Sequence, residues 1–90
     1  MRYLVNALAS SEVRIAEYYL RRRAYVAAVN RAQYAIDNYP QTPALERAFV
    51  VLVKAYGAMG LSDLQRDAER LLELNFPAQA GSAGAEAGRS

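Results

Sequence analysis

The chain has no cysteine and no histidine, and it sets one lysine against ten arginines. Without cysteine it can form neither a disulfide nor a thiolate nucleophile, and without both residue types it lacks the ligands of the commonest zinc sites. The missing cysteine does not fix a compartment, because many exported proteins also have none. Long apolar runs are missing too. The longest, Ala48 to Val53, is bounded by Arg47 and Lys54, so no segment approaches the length of a membrane span. The opening residues Met1-Arg2-Tyr3-Leu4-Val5-Asn6 contain no long apolar stretch and no cleavage site, so no signal peptide is read there. A charge excess is also absent. A formal net charge of +2 is too small to argue for nucleic acid on its own.

What is present is an amphipathic chain of 90 residues, 53% apolar by composition yet with a mean hydropathy of -0.12. That length supports at most one small domain with a limited core. Arginine favours planar, multidentate contacts with carboxylates and stacks on aromatics, which points mildly to protein interfaces. The last thirteen residues, Ala78 to Ser90, are mostly alanine, glycine and serine. They cannot bury enough apolar area to offset their ordering entropy, so disorder is expected over 78–90.

Residues 1–39 contain neither glycine nor proline. A stripe of Leu4, Leu8, Ser11, Ile15 and Tyr19 runs at close to helical period, widened by Ala9, Ala16 and Leu20. Continued, it would place Arg22 or Arg23 in the core. The pattern instead restarts at Tyr25, Val26, Val29, Ala32, Ala35 and Ile36, which puts a break near Arg21–Ala24. One uninterrupted helix is the rival, but its length would be unusual in a globular domain. Pro40 ends the second helix and biases Tyr39 away from helical dihedrals. Thr42 is the expected N-cap of a third helix, with Pro43 at its first position. That helix carries Leu45, Phe49, Leu52, Tyr56 and Met59 on one face, and Gly60 supplies a left-handed C-terminal cap. Ser62 and Gln65 have the spacing of a capping box opening a fourth helix, whose core face reads Leu64, Ala68, Leu71 and Leu72. Pro77 stops it.

The unit occurs twice. Asn38-Tyr39-Pro40 returns as Asn75-Phe76-Pro77, and Tyr19 to Pro40 spans the same interval as Tyr56 to Pro77. Stacked helix-hairpin repeats are usually scaffolds for partners rather than catalysts. The first copy matches the tetratricopeptide pattern: Ala16 stands three before Tyr19, then Ala28, Ala32 and Ala35 space the second helix. Alanines at a crossing let two helix backbones approach closely. The second copy matches at Leu52, Tyr56, Gly60 and Pro77 but carries Val53, Gln65 and Glu69 where small or apolar residues are usual. Ala68, offset by three, is expected to take over the close contact. The expected fold is all-α: two antiparallel helix hairpins of a tetratricopeptide-like α-solenoid, about residues 1–40 and 43–77. A degenerate last repeat suits a capping unit.

A more specific resemblance lies in the ordered string Ala16-Glu17-Tyr18-Tyr19-Leu20, Ala24-Tyr25-Val26-Ala27-Ala28-Val29-Asn30-Arg31 and Asn38-Tyr39-Pro40-Gln41-Thr42-Pro43-Ala44. Tyr3 to Ala9, Ala55-Tyr56 and Leu72 to Pro77 continue it in order. Over roughly residues 2–78 the chain resembles the C-terminal part of the BamD family, the ComL-type outer-membrane protein assembly lipoproteins of Gram-negative bacteria. The resemblance implies a piece of a longer lipoprotein at the periplasmic face of the outer membrane, reaching the membrane only through a lipid anchor that this cysteine-free stretch lacks. It implies a non-catalytic scaffold that docks the periplasmic domains of the barrel-forming assembly subunit and small accessory lipoproteins. No cofactor is expected.

Two sets of residues are candidates for binding. Asn30, Arg31, Tyr34 and Asn38 lie beside the alanine face of the second helix, and arginine and tyrosine are favoured interface anchors. The plainer alternative is an inward Tyr34 and a solvated Arg31. Glu17, Arg21, Arg47 and Lys54 fall off the packing stripes, toward the inner face that paired first helices create. There they could hold an extended peptide from an unfolded outer-membrane protein. Ordinary surface ion pairing is the simpler reading, and it takes precedence. Arg21-Arg22-Arg23 reads as a solvated turn, since nucleic-acid binding needs a wider basic footprint. The tyrosines at 18, 19, 25, 34, 39 and 56 have the spacing of hairpin packing rather than base stacking. Glu12, Glu17, Asp63 and Asp67 supply carboxylates, but no nucleophile–base–orienter set accompanies them. Asp63, Asp67 and Glu69 read as charges at a helix N-terminus rather than a metal site.

Overall fold

The computed structural model describes residues 2–77, and the expectation of disorder over 78–90 lies outside them. Four helices follow in order: α1 Arg2–Arg21, α2 Tyr25–Asn38, α3 Leu45–Ala58 and α4 Ser62–Asn75. No strand occurs among the described residues. Helices α1 and α2 form one hairpin and α3 and α4 the other. Helix α3 packs against both helices of the first hairpin, whereas among the described helices α4 packs against α3 alone. The fold is all-α and tetratricopeptide-like, as the repeat pattern implies.

Small residues set the helix spacing. Every buried residue of α2 is alanine (Ala28, Ala32, Ala35), and they meet Ala9, Val13 and Ala16 of α1 in one core cluster. The heavier part of the core comes from α3, through Leu45, Phe49, Val51 and Leu52. Ala68 is the one buried residue of α4, so the close contact does shift three positions in the second copy.

Several expected core positions lie elsewhere. Leu4 and Leu8 are about half exposed, at 55% and 52%, because α1 has two apolar faces and the narrower Ala9–Val13–Ala16 stripe is the one that meets α2. Val26 on α2 and Leu64 and Leu71 on α4 are also exposed. In α4 the cause is neighbour number: with α3 its only neighbour among the described helices, one stripe suffices to cover the interface.

The two hairpins are geometrically equivalent at an offset of 37 residues. In the first, the Ala24 N–H donates to the Tyr19 carbonyl (2.9 Å) and the Arg23 N–H to that of Leu20 (3.0 Å). In the second, Leu61 donates to Tyr56 (2.9 Å) and Gly60 to Gly57 (3.1 Å). Both are Schellman closures around a left-handed residue, Arg23 at φ 65° and Gly60 at φ 75°. The far ends also correspond. Asn38 Nδ2 donates to the Tyr34 carbonyl (2.9 Å), and Asn75 Nδ2 to that of Leu71 (2.8 Å).

The two expected side-chain N-caps do not form. The Thr42 hydroxyl donates back to the Tyr39 carbonyl (3.0 Å), and α3 is entered through tight i→i+3 bonds, Leu45 to Thr42 among them. The reversal at Gln41, φ 66°, turns Thr42 toward the end of α2 that the chain has just left. Ser62 is already inside α4, because the closure at Gly60 makes Leu61 the cap residue, without a side-chain bond. The Gln65 amide is occupied elsewhere. It lies against Gly57, where an added Cβ would come 2.5 Å from Gln65 Nε2.

The turn equivalence generates a stability test. A non-glycine residue in the left-handed region costs roughly 1 kcal/mol. Arg23→Gly should therefore stabilise the fold by about 0.5–1 kcal/mol. Gly60→Ala should destabilise it by about 1 kcal/mol through backbone strain alone, since nothing lies within 4 Å of a Cβ there. Urea midpoints at unchanged slope measure both.

Candidate docking surfaces

The fully buried residues of α2 are alanines, with Val29 and Ile36 packed beside them, and its larger polar side chains face away from the core. Asn30, Arg31, Tyr34 and Asn38 are all exposed and stand along one side of the helix. Arg31 Nη1 donates to Glu12 Oε1 on α1 at 3.0 Å. That is one of the five N–H groups of a guanidinium, so four others can serve elsewhere. Tyr34 is 45% exposed and meets Tyr39 edge-on, with ring centroids 6.3 Å apart. Partial burial, with Tyr34 and Glu12 adding, holds the Tyr39 phenol above its ordinary value. Asn38 spends its amide hydrogen on the helix end and keeps its side-chain oxygen as an acceptor.

Glu12 was not among the binding candidates. It stands ten residues before Arg22, and Arg31 stands eight after Arg23. Near-equal distances from a hairpin turn are the signal that pairs them. The site also has a counterpart in the second repeat. Offset by 37, Glu12, Tyr34 and Tyr39 become Phe49, Leu71 and Phe76, which line a cleft of about 760 Å³ beside the Pro40–Pro43 loop. Phe49 and Phe76 pack edge-on at 6.3 Å. The same location is thus polar in the first hairpin and apolar in the second.

The second candidate set is also brought together. Arg47 grips Glu17 with two bonds, Nε to Oε2 at 3.1 Å and Nη2 to Oε1 at 2.6 Å, and so ties α3 to α1. The bond to Arg47 holds the Glu17 carboxyl below its ordinary value against partial desolvation, and the charges of Arg47, Arg21 and Lys54 assist. Arg21 and Lys54 are exposed beside this pair. The ion pair is therefore real, and it leaves an excess of positive charge around it.

The remaining candidates resolve simply. The Arg22 guanidinium lies 5.6 Å from the centre of the Tyr18 ring, and Tyr18 is half exposed. Asp63 and Asp67 pair loosely with Arg66 and Arg70 at 3.6 and 3.8 Å. Among the described residues no group of three acidic, cysteine or histidine side chains is placed to hold a metal ion. No helix among them is long and apolar enough to cross a membrane.

Comparison with known proteins gives a consistent set of matches. Residues 1–71 match the family model YfiO, described as an outer membrane lipoprotein. The chain is 45% identical over 74 residues to the outer membrane protein assembly factor BamD of Neisseria meningitidis serogroup A, covering 82% of this chain and 28% of the relative. It is 38% identical over 72 residues to the BamD of Vibrio cholerae (80% and 30%) and 36% over 75 residues to that of Haemophilus influenzae (83% and 29%). The chain thus spans somewhat over a quarter of the length of these relatives. No solved structure gives a significant match.

The Glu17–Arg47 pair predicts a pH dependence. A carboxyl whose folded pKa is lowered adds stability above its ordinary value of 4.5, and that stability is lost as pH falls through the folded pKa. Both side chains are partly exposed, at 29% and 47%, so solvent screens the pair. Glu17→Gln should cost at most about 1 kcal/mol at neutral pH. Denaturation curves of variant and parent should converge as pH is taken below the carboxylate range or salt is raised.

Proposed function

The chain belongs to the outer-membrane lipoprotein family described by the YfiO model, and from that membership we propose that it is a non-catalytic scaffold of outer-membrane β-barrel assembly. In this reading it works at the periplasmic face of the outer membrane, as part of a longer lipoprotein. It docks the periplasmic domains of the barrel-forming subunit and small accessory lipoproteins. The names of the BamD relatives support the assembly role. The observation that carries the docking site is the exposed Asn30–Arg31–Tyr34–Asn38 stripe, with Arg31 already oriented by Glu12.

The chemistry follows from that orientation. One edge of the Arg31 guanidinium is fixed on α1, which lowers the entropy lost when the other edge meets a partner. A carboxylate on the partner can then accept two parallel N–H bonds, and Tyr34 beside it adds area with a polar tip. Asn38 contributes an acceptor for a backbone N–H.

A second reading is favoured by the meeting of Glu17, Arg21, Arg47 and Lys54 on the α1–α3 face. That face suits a groove that holds an extended segment of an unfolded outer-membrane protein in the manner of a chaperone.

Arg31→Ala should weaken docking to the purified periplasmic domains by about 2 kcal/mol or more, while thermal melts change little. Arg31→Lys should recover only part of the loss, because a point charge lacks the planar fork. Glu12→Gln removes the same intramolecular ion pair but leaves Arg31 available, so it should retain most of the affinity. Unaltered affinity in Arg31→Ala places the interface elsewhere, and a collapsed melt makes Arg31 a residue of the fold.

A further inference from the structure

Charge is divided unevenly between the two sides of the molecule. Arg14, Glu17 and Arg21 stand at i, i+3 and i+7 on α1 and so share one face, and Arg47 and Lys54 stand seven apart on α3. The Glu17–Arg47 bonds join these two faces into one surface. It carries four cations and a single carboxylate. The other acids of α1 and α3 point elsewhere: Glu12 is turned to Arg31, and Glu46 lies about 100° around the helix from Arg47. Helices α2 and α4 carry the opposite balance. Asp37, Asp63, Asp67, Glu69 and Glu73 outnumber Arg31, Arg66 and Arg70 there.

The one carboxylate on the basic face is already satisfied. Both Glu17 oxygens accept from Arg47, and Glu17 stays ionised with the help of Arg21 and Lys54. Its effect is to clamp one edge of the Arg47 guanidinium against α1. Two of the five N–H groups of Arg47 are used, and three remain for a ligand. Arg47 is thereby a pre-oriented fork beside two free cations, Arg21 one turn beyond Glu17 on α1 and Lys54 two turns beyond Arg47 on α3, all exposed.

We propose that this α1–α3 face binds an extended acidic polypeptide segment, with a side-chain carboxylate seated on Arg47 and neighbouring carboxylates on Arg21 and Lys54. This rests on the second reading above and names the ligand class that the face selects. Charge complementarity excludes a basic segment. Base stacking would need a row of aromatics, and the half-exposed Tyr18 already has the Arg22 guanidinium 5.6 Å from its ring centre.

The test uses the full chain and fluorescence anisotropy. The probe is a labelled dodecapeptide of alternating serine and glutamate, compared with its serine and glutamine counterpart. The acidic peptide should bind more tightly by about tenfold or more. Binding should be lost near 1 M salt, where the Debye length is about 3 Å. Arg21→Glu with Lys54→Glu should abolish the preference, with the circular dichroism spectrum retained. Arg66→Glu with Arg70→Glu, on α4, should leave it intact. Equal binding of the two peptides overturns the acidic class but leaves a peptide groove standing. Absence of binding by either overturns both. Tighter binding of oligothymidylate or of phosphatidylglycerol vesicles also overturns the proposal.

Discussion

The arrangement depends on how closely α2 can approach its two neighbours. Its fully buried positions are all alanine, lying against the core cluster with Val29 and Ile36 at their edge. Alanine has little side-chain entropy to lose and almost no reach, so the helix axes can come together without a large residue between them. The consequence is felt on the opposite side. Every sizeable polar side chain of the second half of α2 must stand outward, and Asn30, Arg31, Tyr34 and Asn38 do so in one stripe. A larger residue at Ala32 would push α2 off α1 and α3 and disturb the Glu12–Arg31 register. Packing and the candidate docking surface are thus two sides of one helix.

Repetition does the rest. Each hairpin is closed by the same pair of backbone bonds around a left-handed residue, and each second helix ends with the same asparagine-to-carbonyl bond. On that common frame the side chains diverge. Where the first hairpin carries Glu12, Tyr34 and Tyr39, the second carries Phe49, Leu71 and Phe76. Where α2 carries the buried or half-buried Ala28, Val29, Ala32 and Ile36, α4 carries Gln65, Arg66, Glu69 and Glu73 at the equivalent positions, the last three exposed. The second repeat is therefore polar where the first is apolar. The frame is shared, and the surface chemistry makes the two units different.

Much of this was legible in the sequence because prolines, glycine and periodicity act locally. The break at Arg21–Ala24, the stop at Pro40 and the cap at Gly60 need no knowledge of what the chain packs against. The duplicated Asn-aromatic-Pro triplet gave the repeat, and helical phase alone gathered Glu17, Arg21, Arg47 and Lys54. The misread features all depend on neighbours. Leu4 and Leu8 look like core on a helical wheel, but a wheel does not say which of two apolar faces meets α2. Thr42 and Ser62 have the composition of caps, but the left-handed residues at Gln41 and Gly60 set the chain direction before them and take away the role. Glu12 was missed because its partner lies across a turn rather than along the helix.

We propose that the outward stripe of α2 is the surface on which assembly partners dock. The most direct measurement is amide chemical-shift mapping of the labelled chain on titration with the periplasmic domains of the barrel-forming subunit. Docking on this stripe predicts perturbations centred on residues 30, 31, 34 and 38 and on Glu12 across the hairpin, with α4 residues 63–70 unmoved. Perturbations centred on α4, with residues 30–38 unmoved at saturation, would contradict it.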